Sequence, residues 1–219
     1  MLKLYDYELS GNCYKIRLML SFLDVVHSIE SVDFYPGAQH KSPAFLRLNP
    51  MGQLPVIEDA GMVLRDAQAI LIYLAARYDS QGVWFPRDDP VRLGQIAQWL
   101  AFADSITATA SVARLHDGLL YSHVDSEAAR LGAHKLFRIL DEHLYFCEQV
   151  EQTWICPGDQ PTLADIACFP YVMLSEEGGI SRIDYPALRR WCDRFKRIPG
   201  FVVMPGIFHA GPGLEASTV

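Results

Sequence analysis

The stretch Leu9-Ser10-Gly11-Asn12-Cys13-Tyr14-Lys15 follows a predicted strand over residues 2–6 and opens a predicted helix over residues 12–23. A turn from a strand into a helix directs unpaired backbone N–H groups and the positive end of the helix dipole at one point. An anion bound there is stabilised, and a thiol there ionises more readily. The stretch therefore predicts a βα unit whose turn is a candidate binding site.

Ser10 and Cys13 within this turn have the spacing of a redox Cys-x-x-Cys pair whose first cysteine is replaced by a hydroxyl. A serine forms no disulfide, but its hydroxyl can donate a hydrogen bond to a thiolate that a ligand supplies. In the alternative interpretation, Ser10 is a helix N-cap and Cys13 is a small buried core residue. The stretch taken alone favours this structural interpretation.

The composition indicates a globular protein that works in a reducing compartment. The chain has 219 residues, of which half are hydrophobic, enough for one large domain or two small ones. Its net charge of −7 argues against general affinity for nucleic acid or anionic lipid. The first residues lack the apolar core of a signal peptide, and no apolar run approaches the roughly 18 residues that span a bilayer. The five cysteines are odd in number and scattered, which predicts a cytoplasmic protein with no metal site.

The first 79 residues alternate between strand and helix patterns. After strand 2–6 and helix 12–23, the pattern predicts a strand over 28–33, a helical turn over 43–48, a hairpin with strands 56–58 and 62–64, and a helix over 66–78. Asp66 is a suitable N-cap for that last helix. The order β-α-β-α-β-β-α predicts a small α/β domain over residues 1–79.

The remainder of the chain is predicted to be helical. Residues 80–90 are rich in Asp, Gly and Pro and are assigned as a linker, and residues 91–219 form the second domain. Predicted helices cover about 90–112, 126–150, a segment that starts at Thr162, and 186–199. Thr162 and Asp165 have the spacing of a capping box, so Asp165 is assigned a structural role rather than a catalytic one. The small, polar tail from Gly211 is expected to be mobile.

Asn49-Pro50-Met51-Gly52-Gln53-Leu54-Pro55-Val56 is the second informative stretch, with Pro55 where a strand would start. A cis Leu54–Pro55 bond would turn the N–H and C=O of Leu54 away from the sheet and towards a ligand, which could pair with them like an added strand. An ordinary trans proline is the alternative, because only about 5–6% of X–Pro bonds in folded proteins are cis.

The chain resembles a cytosolic glutathione S-transferase of the serine type, similar to the theta, delta and zeta classes and their bacterial relatives. Four motifs carry the resemblance: Ser10–Arg17 (SGNCYKIR), Asn49–Pro55 (NPMGQLP), Leu64–Leu74 (LRDAQAILIYL) and Thr162–Ile166 (TLADI). The resemblance covers essentially the whole chain. It implies an α/β thioredoxin-like N-terminal domain, an all-α C-terminal domain and pairing as a homodimer.

The resemblance also implies roles for individual residues. Ser10 matches the catalytic serine, whose hydroxyl donates a hydrogen bond to the glutathione sulfur and lowers the thiol pKa. Leu54 pairs its backbone with the cysteinyl part of glutathione, and His40 lies near the glycyl carboxylate unless it is a solvated loop histidine. The implied glutathione-binding residues are Ser10, Asn12, Cys13, His40, Gln53, Leu54, Pro55, Asp66 and Ala67.

Ala67 departs from the family pattern, because relatives have a serine after the acidic residue that receives the γ-glutamyl end. Loss of one hydrogen bond to a charged group costs about 1.5–3 kcal/mol. The backbone N–H of Ala67 remains at a helix N-terminus, so glutathione binding is expected to be weaker without being abolished.

An electrophile pocket is assigned by resemblance to the helix after the linker, at Phe102, Ala103 and Ile106. These side chains equally fit an interhelical or dimer core. Cys13 is an alternative nucleophile, although redox chemistry of this type uses the first position of the pair, which is Ser10 here.

The sequence and this resemblance therefore predict a cytoplasmic glutathione transferase that conjugates the glutathione thiolate to a hydrophobic electrophile. It is expected to be a homodimer without nucleic-acid or membrane partners. Two alternatives stay open. One is a glutathione-dependent isomerase, dehalogenase or disulfide reductase on the same fold. The other is a non-catalytic binding or interaction protein that kept the fold, which the missing hydroxyl at Ala67 favours.

Overall fold

The N-terminal part of the chain forms a four-stranded sheet with helices packed on it, in a computed structural model that describes residues 1–119 and 123–210. The tail from Gly211 lies outside the described residues. The elements are β1 (Leu2–Asp6), α1 (Gly11–Phe22), β2 (His27–Ser31), α2 (Pro43–Leu48), β3 (Val56–Asp59), β4 (Met62–Arg65) and α3 (Ala67–Tyr78). This is the α/β order that the sequence predicts.

The sheet has the strand order β2-β1-β3-β4. β1 pairs in parallel with β2 and antiparallel with β3, and β3 and β4 form the predicted hairpin. Parallel pairing of β1 with β2 requires a crossover, which α1 supplies. The N-terminus of α1 therefore lies at the end of the central strand β1, beside the start of β3.

The C-terminal part of the described chain is helical. Its helices are α4 (Pro90–Ile106), α5 (Val112–Leu119), α6 (Ser126–Gln149), α7 (Leu163–Met173) and α8 (Pro186–Phe195). A short 3₁₀ segment, Leu174–Gly178, follows α7. Among residues 1–119 and 123–210, no helix has both the length and the apolar character needed to cross a bilayer.

The predicted single helix over residues 90–112 is wrong in one respect, because a π-helical segment, Thr107–Ser111, separates α4 from α5. Threonine hydroxyls bind carbonyls of the preceding turn here: Thr107 donates to Ala103 and Thr109 to Ser105. Such contacts and π-turns interrupt a regular α-helix and change the direction of the side chains that follow.

One apolar core connects the two parts of the chain. It includes Leu18 of α1, Leu71 of α3 and Ile166 of α7, which are all fully buried. α7 packs directly on α1 and contacts α3. This contact places the middle of α7 beside the Leu9–Lys15 turn.

α7 begins with the predicted capping box. The Thr162 hydroxyl accepts the backbone N–H of Ala164, and the Asp165 carboxylate accepts that of Thr162 at 2.8 Å. Asp165 also accepts hydrogen bonds from the backbone N–H of Ile155 and the indole N–H of Trp191. The structural role predicted for Asp165 is confirmed.

Candidate functional site

A cavity of about 550 Å³ opens between the sheet and the helices at the N-terminus of α1. Both parts of the chain line it. The N-terminal part contributes Tyr7, Leu9, Ser10, Asn12, Phe34, Gln53, Leu54, Pro55, Asp66 and Ala67. The helical part contributes Thr107, Ser111, Arg114, Leu115, Tyr171, Glu177, Pro205 and Gly206.

Ser10 occupies the N-cap position of α1 and lines the cavity. Its hydroxyl oxygen accepts the backbone N–H of Cys13 at 3.2 Å. The capping bond uses the oxygen as an acceptor, so the hydroxyl proton stays available to donate to a ligand. The N-cap interpretation and the catalytic interpretation of Ser10 are therefore compatible.

The Cys13 side chain is fully buried and does not line the cavity. Burial raises the pKa of its thiol to about 12, with the nearby Asp6 carboxylate as a smaller cause. The thiol is therefore protonated at neutral pH and unreactive. A nucleophilic role for this cysteine has no support in the geometry.

The Leu54–Pro55 peptide bond is cis, one of the two alternatives that the sequence leaves open. Among the described residues, neither the N–H nor the C=O of Leu54 has a hydrogen-bond partner. The preceding carbonyl, of Gln53, accepts a hydrogen bond from the Asn49 side-chain amide at 2.8 Å, which fixes the loop. The structure thus presents one unpaired backbone donor and one acceptor beside the cavity.

Asp66 and Ala67 line the cavity at the N-terminus of α3. Asp66 has a φ of 76°, a conformation that is strained for a residue with a side chain. One of its carboxylate oxygens caps α3 by accepting the N–H of Ala69 at 2.9 Å. Ala67 is 4% exposed and offers no side-chain hydrogen bond.

His40 lies behind the cavity wall instead of in solvent. Its ring is stacked on that of Phe34, with centroids 3.9 Å apart, and Phe34 lines the cavity. The alternative of a solvated loop histidine is wrong, because His40 is 5% exposed. Burial, and secondarily the charge of Lys41, lower the pKa of His40, so the ring is neutral at pH 7.

Phe102, Ala103 and Ile106 do not line this cavity. Ala103 and Ile106 are 1% exposed and belong to the interhelical core, as the alternative interpretation had it. The π-helical segment and the start of α5 face the cavity instead.

Arg114 and Tyr171 are two cavity residues that the sequence reasoning missed. The Arg114 guanidinium donates from Nη1 to the carbonyl of Leu9 at 2.6 Å and from Nε to the Glu177 carboxylate at 2.5 Å. It thereby ties the turn before Ser10 to the helical part of the chain. Nothing in the local pattern of residues 112–116 distinguishes this arginine from a surface residue.

Tyr171 of α7 contacts the same turn. Its hydroxyl oxygen accepts the backbone N–H of Asn12 at 3.3 Å. Burial raises the pKa of this phenol, so it is protonated at neutral pH. The Asn12 side chain lines the cavity, and its amide oxygen is buried without a hydrogen-bond partner.

Replacement of Gly11 by alanine is expected to displace the Tyr171 ring, because a Cβ at Gly11 would lie 2.7 Å from Cε1 of that ring. We expect a loss of about 1–3 kcal/mol in unfolding free energy, measured by urea denaturation. Gly94→Ala is the matched control, since nothing lies within 4 Å of that Cβ and alanine favours a helix. A Gly11→Ala protein as stable as the Gly94→Ala protein would contradict this packing.

Among residues 1–119 and 123–210, no three His, Cys, Asp or Glu side chains are grouped closely enough to hold a metal ion.

Comparison with known proteins identifies both parts of the chain. The model of the glutathione S-transferase N-terminal domain matches residues 4–82, and that of the glutathione S-transferase C-terminal domain matches residues 121–199. Maleylacetoacetate isomerase of Pseudomonas aeruginosa is 28% identical over 207 residues, covering 91% of this chain and 93% of that protein.

Solved structures show the same fold along the chain. A glutathione S-transferase from Pseudomonas fluorescens has a TM-score of 0.81 at 29% identity, covering 93% of this chain and 98% of that one. Ure2p in complex with S-hexylglutathione has a TM-score of 0.79 at 26% identity, covering 91% and 95%. These comparisons confirm the predicted fold class, a thioredoxin-like domain followed by a helical domain.

Proposed function

Because the chain belongs to the glutathione S-transferase family, we propose that it binds glutathione in the cavity at the N-terminus of α1 and joins the glutathione thiolate to an electrophile. One observation carries the proposal. The Ser10 hydroxyl, with its proton available, shares a cavity with the unpaired backbone of Leu54 and the N-terminus of α3. A relative solved with S-hexylglutathione bound supports this choice of ligand.

Leu54 would hold the peptide backbone of glutathione through its free N–H and C=O, in the manner of an added strand. The N-terminus of α3, with the backbone N–H of Ala67, would hold the γ-glutamyl carboxylate, and the Asp66 carboxylate would face the γ-glutamyl ammonium. Asn12 and Gln53 complete this wall. Cys13 and His40 would support the site from behind, since neither side chain lines the cavity.

Ser10 would act on the sulfur. Its hydroxyl donates a hydrogen bond to the thiolate form, at the positive end of α1, and both effects lower the thiol pKa from about 8.5. The thiolate then forms a bond to the electrophilic carbon, and the leaving group departs with its electron pair. The chain's contribution is to hold the two reactants together and keep the sulfur ionised.

The electrophile would lie against the helical wall. Leu9, Leu115 and Pro205 provide apolar surface there, which supports a substrate with a hydrophobic body. Phe102, Ala103 and Ile106, which were predicted to form this pocket, do not line the cavity. We propose for them only a supporting role behind its wall.

A glutathione-dependent isomerase is a second candidate. The similarity to maleylacetoacetate isomerase favours it. Assays of an aryl halide and of maleylacetoacetate, run side by side with glutathione, would separate conjugation from isomerisation.

Ser10→Ala is expected to lower the conjugation rate at pH 7 by roughly 10- to 100-fold, because a hydrogen bond to a charged group contributes about 1.5–3 kcal/mol. Steady-state kinetics with an aryl halide would measure it. Ser31→Ala, which removes an exposed hydroxyl at the end of β2, is the control.

Calorimetric titration with glutathione tests binding itself. No detectable heat at millimolar glutathione would exclude both enzyme functions and favour the non-catalytic alternative. An unchanged rate in the Ser10→Ala protein would place the chemistry elsewhere in the cavity.

The remaining assignments are proposals that the family supports. Residues 1–79 would form the glutathione-binding domain, and residues 91–219 would provide the electrophile pocket after the 80–90 linker. Homodimer formation would be tested by light scattering. A cytoplasmic location is consistent with five cysteines that all carry free thiols.

A further inference from the structure

Two hydroxyl groups, one from each part of the chain, accept hydrogen bonds from the N-terminus of α1. The Ser10 oxygen accepts the backbone N–H of Cys13, and the Tyr171 oxygen accepts that of Asn12, the neighbouring amide. Both oxygens are engaged as acceptors. The Tyr171 hydroxyl also has a side-chain hydrogen bond with Ser111, and the Ser10 hydroxyl has one with the Cys13 thiol. Since the Ser111 hydroxyl and the protonated thiol can both act as donors, the protons of Ser10 and Tyr171 are left for a ligand. Both residues line the cavity. The terminus of α1 therefore presents two available O–H donors, one from each part of the chain.

The position of Tyr171 is tightly fixed. The ring lies against Gly11, where a Cβ would be 2.8 Å from Cζ, the carbon that carries the hydroxyl. Tyr171 is 6% exposed. A group held in this way loses little conformational freedom when it binds a ligand, so its hydrogen bond is preorganised.

A buried cation strengthens Tyr171 as a donor. The ammonium of Lys15 lies 5.5 Å from the centroid of the ring, within the range of a cation–π contact. Lys15 is fully buried, and its ammonium has no hydrogen-bond partner among the described residues. A positive charge beside the ring withdraws electron density from it and makes the phenolic proton a better donor.

Arg114, the other cationic group at the cavity, is already committed. Its Nη1 donates to the Leu9 carbonyl and its Nε to Glu177. The neutral hydroxyl of Tyr171 has only the Ser111 hydroxyl as a side-chain partner among the described residues, and Ser111 can be the donor in that pair.

We propose that Tyr171 is a second catalytic residue, whose hydroxyl donates a hydrogen bond to the same ligand sulfur that Ser10 binds. This inference rests on the proposed function, since the sulfur is that of glutathione. The two hydroxyls and the positive end of α1 then surround the thiolate. Since Tyr171 belongs to the helical domain, the thiolate is fully stabilised only when that domain is packed on α1.

The test is the pKa of the bound thiol, followed by ultraviolet absorbance of the thiolate in protein saturated with glutathione. In the wild type this pKa is expected below about 8.5, and Tyr171→Phe is expected to raise it by about one unit. At pH 6.5 the conjugation rate of the Tyr171→Phe protein then falls about tenfold and recovers towards the wild-type rate as the pH passes the new pKa. The pH dependence separates this role from a purely structural one, which would lower the rate equally at every pH.

Other charged and titratable groups around Tyr171 could also change the conjugation rate as the pH changes. Lys15 and Cys13 face it from α1 and Arg114 from α5, while Asp66 and Glu177 lie on the cavity wall. A thiol pKa read directly from thiolate absorbance reports the sulfur and none of these groups.

Tyr14→Phe is the matched control. Tyr14 is a buried tyrosine on α1 whose hydroxyl donates to the carbonyl of Val202, outside the cavity lining. Its removal should leave the thiol pKa unchanged even if it lowers stability. The Ser10→Ala/Tyr171→Phe double variant should have a thiol pKa above that of either single variant.

Three results would each contradict a different part of the proposed role of Tyr171. A wild-type protein that binds no glutathione would overturn the proposed function and this inference with it. A wild-type thiolate with an unchanged pKa in the Tyr171→Phe protein would overturn only the role of Tyr171. An equal shift in the Tyr14→Phe protein would assign the effect to general loosening of α1.

Discussion

Asp165→Asn is expected to lower the free energy of unfolding by about 3–5 kcal/mol, because one buried carboxylate accepts three N–H groups. The donors are the backbone N–H groups of Thr162 and Ile155, at 2.8 and 3.1 Å, and the indole N–H of Trp191 at 2.9 Å. Asparagine retains the shape but turns one acceptor oxygen into an NH₂ donor. At least one buried donor then faces another donor and is left unsatisfied.

Loss of the Asp165 carboxylate should affect more of the helical domain than the capping box of α7. Thr162 starts α7, Ile155 belongs to the loop after α6, and Trp191 lies on α8, so the carboxylate joins three separate segments of the helical domain. Residues of α7 also contact α1 and include Tyr171. Loss of this junction should therefore loosen the helical domain and the wall of the cavity together.

Urea unfolding of the Asp165→Asn protein, monitored by tryptophan fluorescence, would measure this loss. Asp193→Asn is the control, since that side chain is 64% exposed on α8 and its change should stay within about 0.5 kcal/mol. A loss below about 1 kcal/mol at Asp165 would mean that the three donors find other partners, and the central role of this carboxylate would then be wrong.

Local patterns predicted the parts of the site that depend on neighbouring residues. The Ser10 and Asp66 caps each follow from the few residues on either side, because helix caps are formed by short-range hydrogen bonds. For Leu54–Pro55 the sequence leaves both isomers open, and the structure has the cis form. The strand bounds were less accurate: the predicted strand 28–33 ends at Ser31. Edge strands such as β2 pair on one side only, so their ends are weakly specified.

The parts that sequence reasoning missed are contacts between distant segments. Tyr171 meets Asn12 across 159 positions of the chain, and Arg114 meets Leu9 across 105. Tyr171 fits the apolar pattern of α7, and Arg114 has the local pattern of a surface residue of α5, so neither pattern indicates a site. The expectation that Phe102, Ala103 and Ile106 line a pocket failed for a different reason, since the π-helical segment after Ile106 changes which face of the helix meets the cavity.

Lys15 has a fully buried amine whose charge is expected to destabilise the folded protein. Burial lowers the pKa of this amine from 10.5 to about 8, since the folded chain offers the ammonium no hydrogen-bond partner among the described residues. A shift of this size corresponds to about 3 kcal/mol of unfavourable free energy while the amine stays charged. Lys15→Met, which keeps the length and removes the charge, is therefore expected to stabilise the protein by about 3 kcal/mol at pH 7.

The gain should depend on pH in a defined direction. Below pH 8 the amine is protonated in both states, so the wild type bears the full penalty. Between pH 8 and 10.5 the unfolded chain binds more protons than the folded one, so this contribution to wild-type stability rises with pH. The advantage of the Lys15→Met protein should therefore shrink across this range and vanish near its upper end.

Unfolding free energies of the two proteins, compared at each pH, cancel the titration of the tyrosines and cysteines that they share. Lys135→Met, a change at an exposed position of α6, should give no comparable gain. Reduced stability of the Lys15→Met protein would show that the ammonium finds compensation in the folded state, from the Tyr171 ring or from the carboxylates of Asp104 and Asp66. A gain in stability together with a raised thiol pKa would show that the chain tolerates an unfavourable charge because that charge acts, through Tyr171, on the sulfur.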